Sequence, residues 1–309
     1  MKIVLILCSI LFTFPSAADV STFAIIGDAG VWNSHSEQVR DSIQRSKVKH
    51  LIMPGDNLYD IKQKYQDVWK HWSERGMEFS VVALGNHRRS TAEEIEYFNM
   101  PKDYYSKAIG DSLFVVLNSE NDSAGREQAA YLELQLNNLK QKYAFVVFHR
   151  PPVTLTPKHR WEQRKDFHHA IRPLLTKYKE TITGVIVGHD HIASLVEMSG
   201  IPLIVSGAVF ESQIHRPVDF KDSDVNVKTQ WLSEGGYYWA RMDVESEKNQ
   251  VWITFVRSDK EGGSCKVRIY PRPFLKGEDC STVKASKDEE DGLVVSISHW
   301  FRYLFQDKI

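Results

Sequence analysis

Side chains of the kinds that bind metal ions follow five apolar stretches of this sequence. They are Asp28 in "GDAG", Asp56 and Tyr59 in "GDNLY", Asn86 and His87 in "GNH", His149 in "VVFH", and His189 and His191 in "GHDH". Any one of them taken alone is more often a turn residue or a satisfied polar group. Because carboxylates, imidazoles and a phenol recur after successive apolar stretches, the pattern favours a metal centre.

The apolar stretches are short and rich in β-branched residues, which is typical of strands buried on both faces. Seven occur, at residues 23–28, 50–56, 79–86, 112–118, 144–149, 184–189 and 202–207. Helical patterns lie between several of them, at residues 36–47, 65–76, 128–141 and 168–178. This alternation predicts an α/β fold. Since the carboxyl ends of the strands in an open α/β sheet share one edge, the metal-binding side chains should converge there.

The pattern changes after residue 236, where "GYYWARMDV" and "NQVWITFV" alternate apolar and polar residues across a short polar link. These segments predict an antiparallel hairpin that closes a second sheet. No long linker or internal repeat divides the chain, so we expect one domain over residues 19–275. Trp69 and Trp72 lie three positions apart on a predicted helix, a spacing that favours core packing over ligand stacking.

In these motifs the sequence resembles the calcineurin-like metallophosphoesterases and, among them, the small, single-domain, tartrate-resistant purple acid phosphatases. The similarity runs from about Phe23 to Val256. It implies a four-layer α/β/β/α sandwich that holds two metals at the strand ends. It also implies an acid phosphatase that hydrolyses phosphate monoesters by attack of a metal-bound hydroxide.

The resemblance assigns a role to each motif residue. The first metal would be bound by Asp28, Asp56, Tyr59 and His191, and the second by Asp56 as a bridge, Asn86, His149 and His189.

Tyr59 bears on the identity of the first metal. Many metallophosphoesterases have a histidine two positions after their first aspartate, where this chain has Gly30. Tyr59 would replace that ligand, and a hard phenolate oxygen favours a trivalent over a divalent ion. We therefore expect Fe(III) beside a second, divalent metal (Fe, Zn or Mn). With Asp28, Asp56, Tyr59 and a hydroxide as anions, this pair keeps about one positive charge for phosphate.

His87 matches the family's outer-shell acid that protonates the leaving alkoxide, so it is the predicted catalytic residue. The alternative is a histidine that only orients the ligands. An acidic residue commonly follows this histidine in the family, whereas Arg88 and Arg89 follow it here. These arginines would either bind a more anionic substrate or depress the pKa of His87.

The two ends of the chain predict export and a separate tail. Residues 1–18 combine a lysine, a mostly apolar run and a small-residue cleavage pattern, as in a secretory signal, and the run is shorter than the ~20 residues that span a bilayer. The protein is therefore expected to be secreted or periplasmic, with Cys265 and Cys280 in one disulfide. Residues 276–309 form a polar excursion and an amphipathic segment. Residues 293–305 would dock on the domain itself, with a membrane surface or a partner as the alternatives.

The composition gives no sign of a nucleic-acid partner, because the 309-residue chain has a net charge of -1. A small phosphate ester is the expected substrate. Two rivals stay open. The same metal site could act on phosphodiesters or nucleotide anhydrides, and the protein could be a metal-bearing binding module with weak catalysis.

Overall fold

The computed structural model describes residues 20–155, 164–210, 219–221, 225–233, 235–259, 264–277 and 280. Its five α-helices within these residues are α1 Ser34–Arg45, α2 Tyr65–Ser73, α3 Thr91–Tyr97, α4 Gly125–Asn137 and α5 Lys165–Lys177. Its strands are β1 Val20–Ile25, β2 His50–Met53, β3 Glu78–Val82, β4 Tyr105–Ile109, β5 Ser112–Val116, β6 Tyr143–Val147, β7 Ile182–Val187, β8 Ala193–Met198, β9 Ile201–Ser206, β10 Asp219–Lys221, β11 Asn226–Leu232, β12 Tyr238–Glu245, β13 Gln250–Arg257, β14 Cys265–Tyr270 and β15 Leu275–Lys276. Each of the seven apolar stretches overlaps a strand, and each of the four helical patterns overlaps a helix, with starts that differ by up to three residues.

The strands form two mixed sheets. One has the order β15-β14-β13-β12-β1-β2-β3, and the other has the order β10-β11-β8-β9-β7-β6-β5-β4. Strands β1, β2 and β3 run parallel in the first sheet, as do β5, β6, β7 and β9 in the second. The predicted ligands therefore come from the carboxyl ends of strands in both sheets.

The sheets pack against each other and carry helices on their outer faces, as the predicted α/β/β/α sandwich requires. One core joins α1 and α2 to the first sheet and includes Phe114 and Phe145 of the second sheet. A separate core lies between the second sheet and helices α4 and α5, with Phe167 and Leu132 among its members. This layering leaves the strand ends along one edge available for a site.

Trp69 and Trp72 are fully buried in the core under α2, which confirms their predicted role. Trp69 also donates from Nε1 to the carbonyl oxygen of Asn57 at 2.7 Å. The core thus contacts the loop that follows β2, which carries Asp56. Packing in the interior fixes part of the predicted site.

The predicted hairpin is present, but its place differs from the prediction. Strands β12 and β13 pair antiparallel, and β12 also pairs with β1. The hairpin therefore extends the sheet that begins with β1 rather than closing another one. Sequence alternation identifies a half-buried hairpin but carries no information about which distant edge it joins.

Cys265 and Cys280 form the predicted disulfide. It fastens Cys280, which lies within the predicted tail at residues 276–309, to β14. Because the bond closes a loop of 15 residues, chain entropy predicts a contribution of about 3 kcal/mol to the free energy of unfolding.

Replacing both cysteines with alanine (C265A/C280A) is expected to lower the free energy of unfolding by about that amount. Urea unfolding of the variant and of the wild type measures the difference, with and without reductant. The variant should match the reduced wild type. A variant as stable as the oxidised wild type would contradict the prediction.

No helix in the described part of the chain is long and apolar enough to cross a bilayer. The predicted signal at residues 1–18 and the amphipathic segment at 293–305 lie outside the described residues. The disulfide is compatible with an exported protein.

Candidate metal centre

The loops that carry the predicted ligands meet where the two sheets are joined by hydrogen bonds. The backbone N–H of Gly27, after β1, donates to the carbonyl oxygen of Ser206, at the end of β9, at 2.6 Å. The N–H of Asp28 donates to Gly55, and that of Gly188 donates to His149, both at 3.0 Å. The first bond joins the two sheets, and the other two join neighbouring strands within each sheet, so the edge is a fixed scaffold.

Four predicted ligands of the second metal gather around the Nε2 atom of His149. This atom lies 3.1 Å from Oδ1 of Asn86, 3.2 Å from Nδ1 of His189 and 3.3 Å from Oδ1 of Asp56. Asp56, His149 and His189 are buried, and their ligand atoms lie within 4.8 Å of one another, close enough to hold one metal ion. The donor set of carboxylate, amide oxygen and two imidazoles suits a divalent ion of the Zn or Fe kind.

The remaining predicted ligands form an adjoining group around the Tyr59 hydroxyl. Its oxygen donates to Oδ1 of Asp28 at 3.1 Å and lies 3.0 Å from Nε2 of His191. Nε2 of His191 is in turn 3.5 Å from Oδ1 of Asp28. Asp56 also acts electrostatically on Tyr59, so this carboxylate faces both groups. The structure thus brings all seven predicted ligands together, while their role as ligands stays a prediction.

Three of these residues have unusual backbone conformations. Asp28, Asp56 and His189 have φ values of 55°, 56° and 67°, in the left-handed region that residues other than glycine seldom adopt. Such conformations cost free energy and concentrate at functional sites. The neighbouring chain is equally constrained, because a Cβ on Gly85 would lie 2.1 Å from Oδ1 of Asp56. The loops are shaped around the side chains of this site.

The outer nitrogen of His149 has the partner expected of a metal ligand. Nδ1 lies 3.0 Å from the carbonyl oxygen of Pro54, which accepts its hydrogen and leaves Nε2 facing the group. Burial lowers the pKa of His149, but the adjacent Asp56 carboxylate and other acidic groups outweigh it and raise the pKa to about 9. For Asp56, burial acts in the opposite direction and raises the pKa. The neighbouring His149 and His87 outweigh burial and bring the pKa of Asp56 well below its usual range. Without a metal, Asp56 and His149 stabilise each other's charged forms.

Burial, together with the charges of Asp28 and Asp56, raises the pKa of Tyr59 well above its ordinary value of 10.0. Without a metal, Tyr59 is therefore a neutral phenol that donates to Asp28. A phenolate at this position requires a strong positive charge beside it, and a trivalent ion provides more than a divalent one.

The structure places His87 beside the first group. Its backbone N–H donates to Oδ1 of Asp56 at 2.8 Å, and its exposed ring stacks on Tyr59 with centroids 4.4 Å apart. The side chain is thus open to a substrate held at the metals. Its role as the acid stays a prediction.

Both arginines that follow His87 have partners within their own segment. Arg88 donates from Nη1 to the carbonyl oxygen of Gly85 and from Nε to Oγ1 of Thr91 at 3.2 Å. Arg89 pairs with Glu93 at 3.4 Å, one helical turn further on. Arg88 therefore fastens the loop that carries Asn86 and His87, which the sequence did not indicate.

Two further groups around the site were not predicted. Arg150 contacts His189, and Glu120, whose side chain is 2% exposed, binds Arg150. Beneath the site, Glu94 of α3 is fully buried and accepts a 2.7 Å hydrogen bond from Nδ2 of Asn57, the residue after Asp56. The sequence signal for Arg150 was its place directly after His149. The sequence contained no signal for the burial of Glu94, since a glutamate on a short polar helix is normally exposed.

Burial raises the pKa of Glu94 from 4.5 to about 7, against the opposing effects of Asn57, Tyr65 and Arg88. Between these two pH values the folded chain holds a proton that the unfolded chain has lost. The free energy of unfolding therefore decreases as pH rises through this window, by about 3 kcal/mol in all. The stabilising contribution is complete below pH 4.5 and lost above pH 7.

Replacement of Glu94 by glutamine (E94Q) is expected to remove this dependence. The variant should gain about 3 kcal/mol of stability relative to wild type between pH 4 and pH 8. Urea unfolding at both pH values measures the gain, and E96Q, at an exposed position of the same helix, is the control. Equal pH dependence in E94Q and wild type would show that Glu94 keeps an ordinary pKa.

Comparison with known proteins relates this chain to others by structure. No protein-family model matches it, and no curated protein matches it by sequence. Solved structures do match. The anchor protein GAP50 of the inner membrane complex of Plasmodium has a TM-score of 0.61 and 16% identity, with 91% of this chain and 94% of that chain covered.

Two phosphatases, one a purple acid phosphatase and the other a dimetal phosphatase, also resemble this chain in structure. A purple acid phosphatase from yellow lupin seeds has a TM-score of 0.61 and 14% identity, covering 80% of this chain but only 53% of its own. A dimetal phosphatase from Danio rerio has a TM-score of 0.51 and 13% identity, covering 80% of this chain and 98% of its own. At such identities the likeness shows the fold alone: this chain has the fold of these three proteins.

Proposed function

We propose that this protein is an exported, metal-dependent phosphoester hydrolase of the purple acid phosphatase type, acting on small phosphate monoesters. The observation that carries the proposal is the convergence of seven ligand-type side chains from both sheets into two groups that share Asp56. The phosphatases with the same fold support it. Two metal ions bound at these groups would supply the positive charge that holds a phosphate and acidifies a water molecule.

The chain's own residues would divide the work. Asp28, Tyr59 and His191 would hold the first metal, Fe(III), because the phenol of Tyr59 is an oxygen donor suited to a trivalent ion. Asn86, His149 and His189 would hold the divalent ion, and Asp56 would bridge the two. The carbonyl oxygen of Pro54, 3.0 Å from Nδ1 of His149, would leave Nε2 of this histidine to bind the divalent ion. The exposed imidazole of His87 would donate a proton to the leaving oxygen.

Comparison of a phenyl phosphate monoester with the matching diester tests the substrate class. We expect the monoester to be hydrolysed faster at every pH at which either rate is measurable. A faster diester rate would replace the proposal with the phosphodiesterase alternative. His87→Gln in the same assay should slow the monoester reaction, and it should do so more for poor leaving groups than for good ones.

The likeness to GAP50 favours a second candidate, an anchoring or binding role for this fold, because that match covers nearly all of both chains. The two candidates differ in what the metal site does. A protein that binds both ions yet hydrolyses neither ester would support the anchoring role. Turnover that depends on added metal would support the hydrolase.

A further inference from the structure

A buried polar contact lies beneath the loop that carries Asp56. Asn57, the next residue, donates from Nδ2 to Oε1 of Glu94 at 2.7 Å and to the carbonyl oxygen of Ala83 at 3.0 Å. The carbonyl oxygen of Asn57 accepts a hydrogen bond from Nε1 of Trp69 at 2.7 Å. Asn57 is 1% exposed and Glu94 is fully buried. Helices α2 and α3 and the chain after β3 therefore all hold this one residue.

The backbone of Asp56 needs such support, because its φ is 56°. A residue other than glycine keeps a left-handed conformation only where its surroundings fix it. Anchoring the side chain and the carbonyl oxygen of Asn57 restricts the rotation of the adjoining Asp56 backbone. The contact with Glu94 can therefore act on the direction of the Asp56 carboxylate through Asn57.

The contact between Asn57 and Glu94 is incomplete when Glu94 is charged. Oε2 of Glu94 and Oδ1 of Asn57 are buried, and neither has a hydrogen-bond partner within the described residues. An ionised carboxylate and an amide oxygen are both acceptors, and buried acceptors without a donor are costly. A proton on Oε2 makes Glu94 a donor as well as an acceptor. Oδ1 then belongs to the same amide group that already donates to Glu94.

The groups around Glu94 permit the neutral acid. Arg88 favours the ionised form, but its guanidinium donates to the carbonyl oxygen of Gly85, and Asp56 disfavours the ionised form. The buried hydroxyl of Tyr65 has one hydrogen to donate, which can serve one of the two acceptors but not both. Burial outweighs the groups that favour the charge and raises the pKa of Glu94 to about 7.

Resting on the assignment of Asp56 as the bridging ligand in the proposed function, we propose that Glu94 is a positioning residue. As a neutral acid it bonds the side chain of Asn57 in both directions, accepting from Nδ2 and donating to Oδ1, and so fixes the direction of Asp56. It follows that glutamine at position 94, which also has one acceptor and a donor, can replace Glu94 in this role. An apolar side chain of similar size cannot.

Infrared difference spectroscopy of the full-length protein tests the proton. A neutral carboxylic acid has a C=O band that a carboxylate lacks, and ordinary carboxyl groups are mostly ionised above about pH 5. Wild type should lose such a band between about pH 5 and about pH 8, and E94Q should show no corresponding loss. E96Q, which changes an exposed glutamate of the same helix, should behave as wild type. The same band loss in E94Q and wild type would overturn the proposal.

Calorimetric titration of the metal-stripped full-length chain with Zn²⁺ tests the positioning. E94M should bind Zn²⁺ about 10–100-fold more weakly than wild type, because it removes a residue that orients a ligand. E94Q should restore the wild-type affinity, and E96M is the matched control for the added methionine. N57L should show a loss of similar size and replaces E94M if that variant folds poorly.

The double variant N57L/E94M shows whether Glu94 acts through Asn57. Its Zn²⁺ affinity should be close to that of N57L, since two residues that act through one contact are not additive. Equal Zn²⁺ affinity in E94M and E94Q, or additive losses in the double variant, would overturn the positioning role. A wild type that binds no Zn²⁺ would instead overturn the proposed function, whereas the infrared result does not depend on a metal.

Discussion

Replacing Asp56 with asparagine is expected to abolish metal-dependent phosphoester hydrolysis and to release at least one metal. Asp56 faces both groups of predicted ligands, with Oδ1 3.3 Å from Nε2 of His149 and an electrostatic effect on Tyr59. Residues that only orient ligands cost 10–100-fold in affinity or activity when removed. Loss of a carboxylate that bridges two ions should have a larger effect. We therefore expect metal affinity and hydrolytic activity each to decrease by more than about 100-fold.

Elemental analysis and the monoester assay on D56N measure these effects. D190N is the matched control, since Asp190 lies between His189 and His191, is equally buried and accepts a 2.7 Å hydrogen bond from Thr154. It should keep both metals and most of the activity. If D56N kept two ions per chain, the bridge assigned to Asp56 would be wrong.

Replacing Tyr59 with phenylalanine should remove the visible absorption of the protein and most of its iron. Phenylalanine keeps a ring for contacts with His87 and Phe210 but lacks the oxygen that lies 3.0 Å from His191 and 3.1 Å from Asp28. The second group, built around Nε2 of His149, does not include Tyr59. The divalent ion should therefore remain bound.

The visible spectrum and the iron content of Y59F provide the test, with Y97F, a partly buried tyrosine packed against the first core, as the control. Wild type and Y97F should have the band, and Y59F should not. A band of equal intensity in Y59F would show that the phenol of Tyr59 is not an iron ligand.

The sequence predicted the strands that carry the site because their β-branched runs are local signals. It also predicted Trp69 and Trp72 as core residues and Cys265–Cys280 as a disulfide. It did not predict β4, an edge strand whose burial pattern is mostly non-buried, or α3, a seven-residue helix with three glutamates. Short or exposed elements bury too little apolar surface to leave a periodic pattern.

The candidate site could be predicted residue by residue, but not its surroundings. The predicted ligands come from two sheets, and their convergence depends on pairing between distant strands, which no single segment encodes. The contact between Arg150 and His189 joins residues 39 positions apart. The local attachment of Arg88 to Gly85 shows the same limit at short range. The sequence left open whether Arg88 would bind a more anionic substrate or depress the pKa of His87, and it did not indicate this bond.

In the proposed function, two metal ions are held by seven side chains, those of Asp28, Asp56, Tyr59, Asn86, His149, His189 and His191. Metal analysis of the purified full-length protein, combined with its visible spectrum, tests it most directly. We predict two ions per chain, one of them iron, and a visible band that disappears in Y59F. A colourless protein that binds fewer than two ions, or only divalent ions, after exposure to iron and zinc would contradict the proposed binuclear iron site.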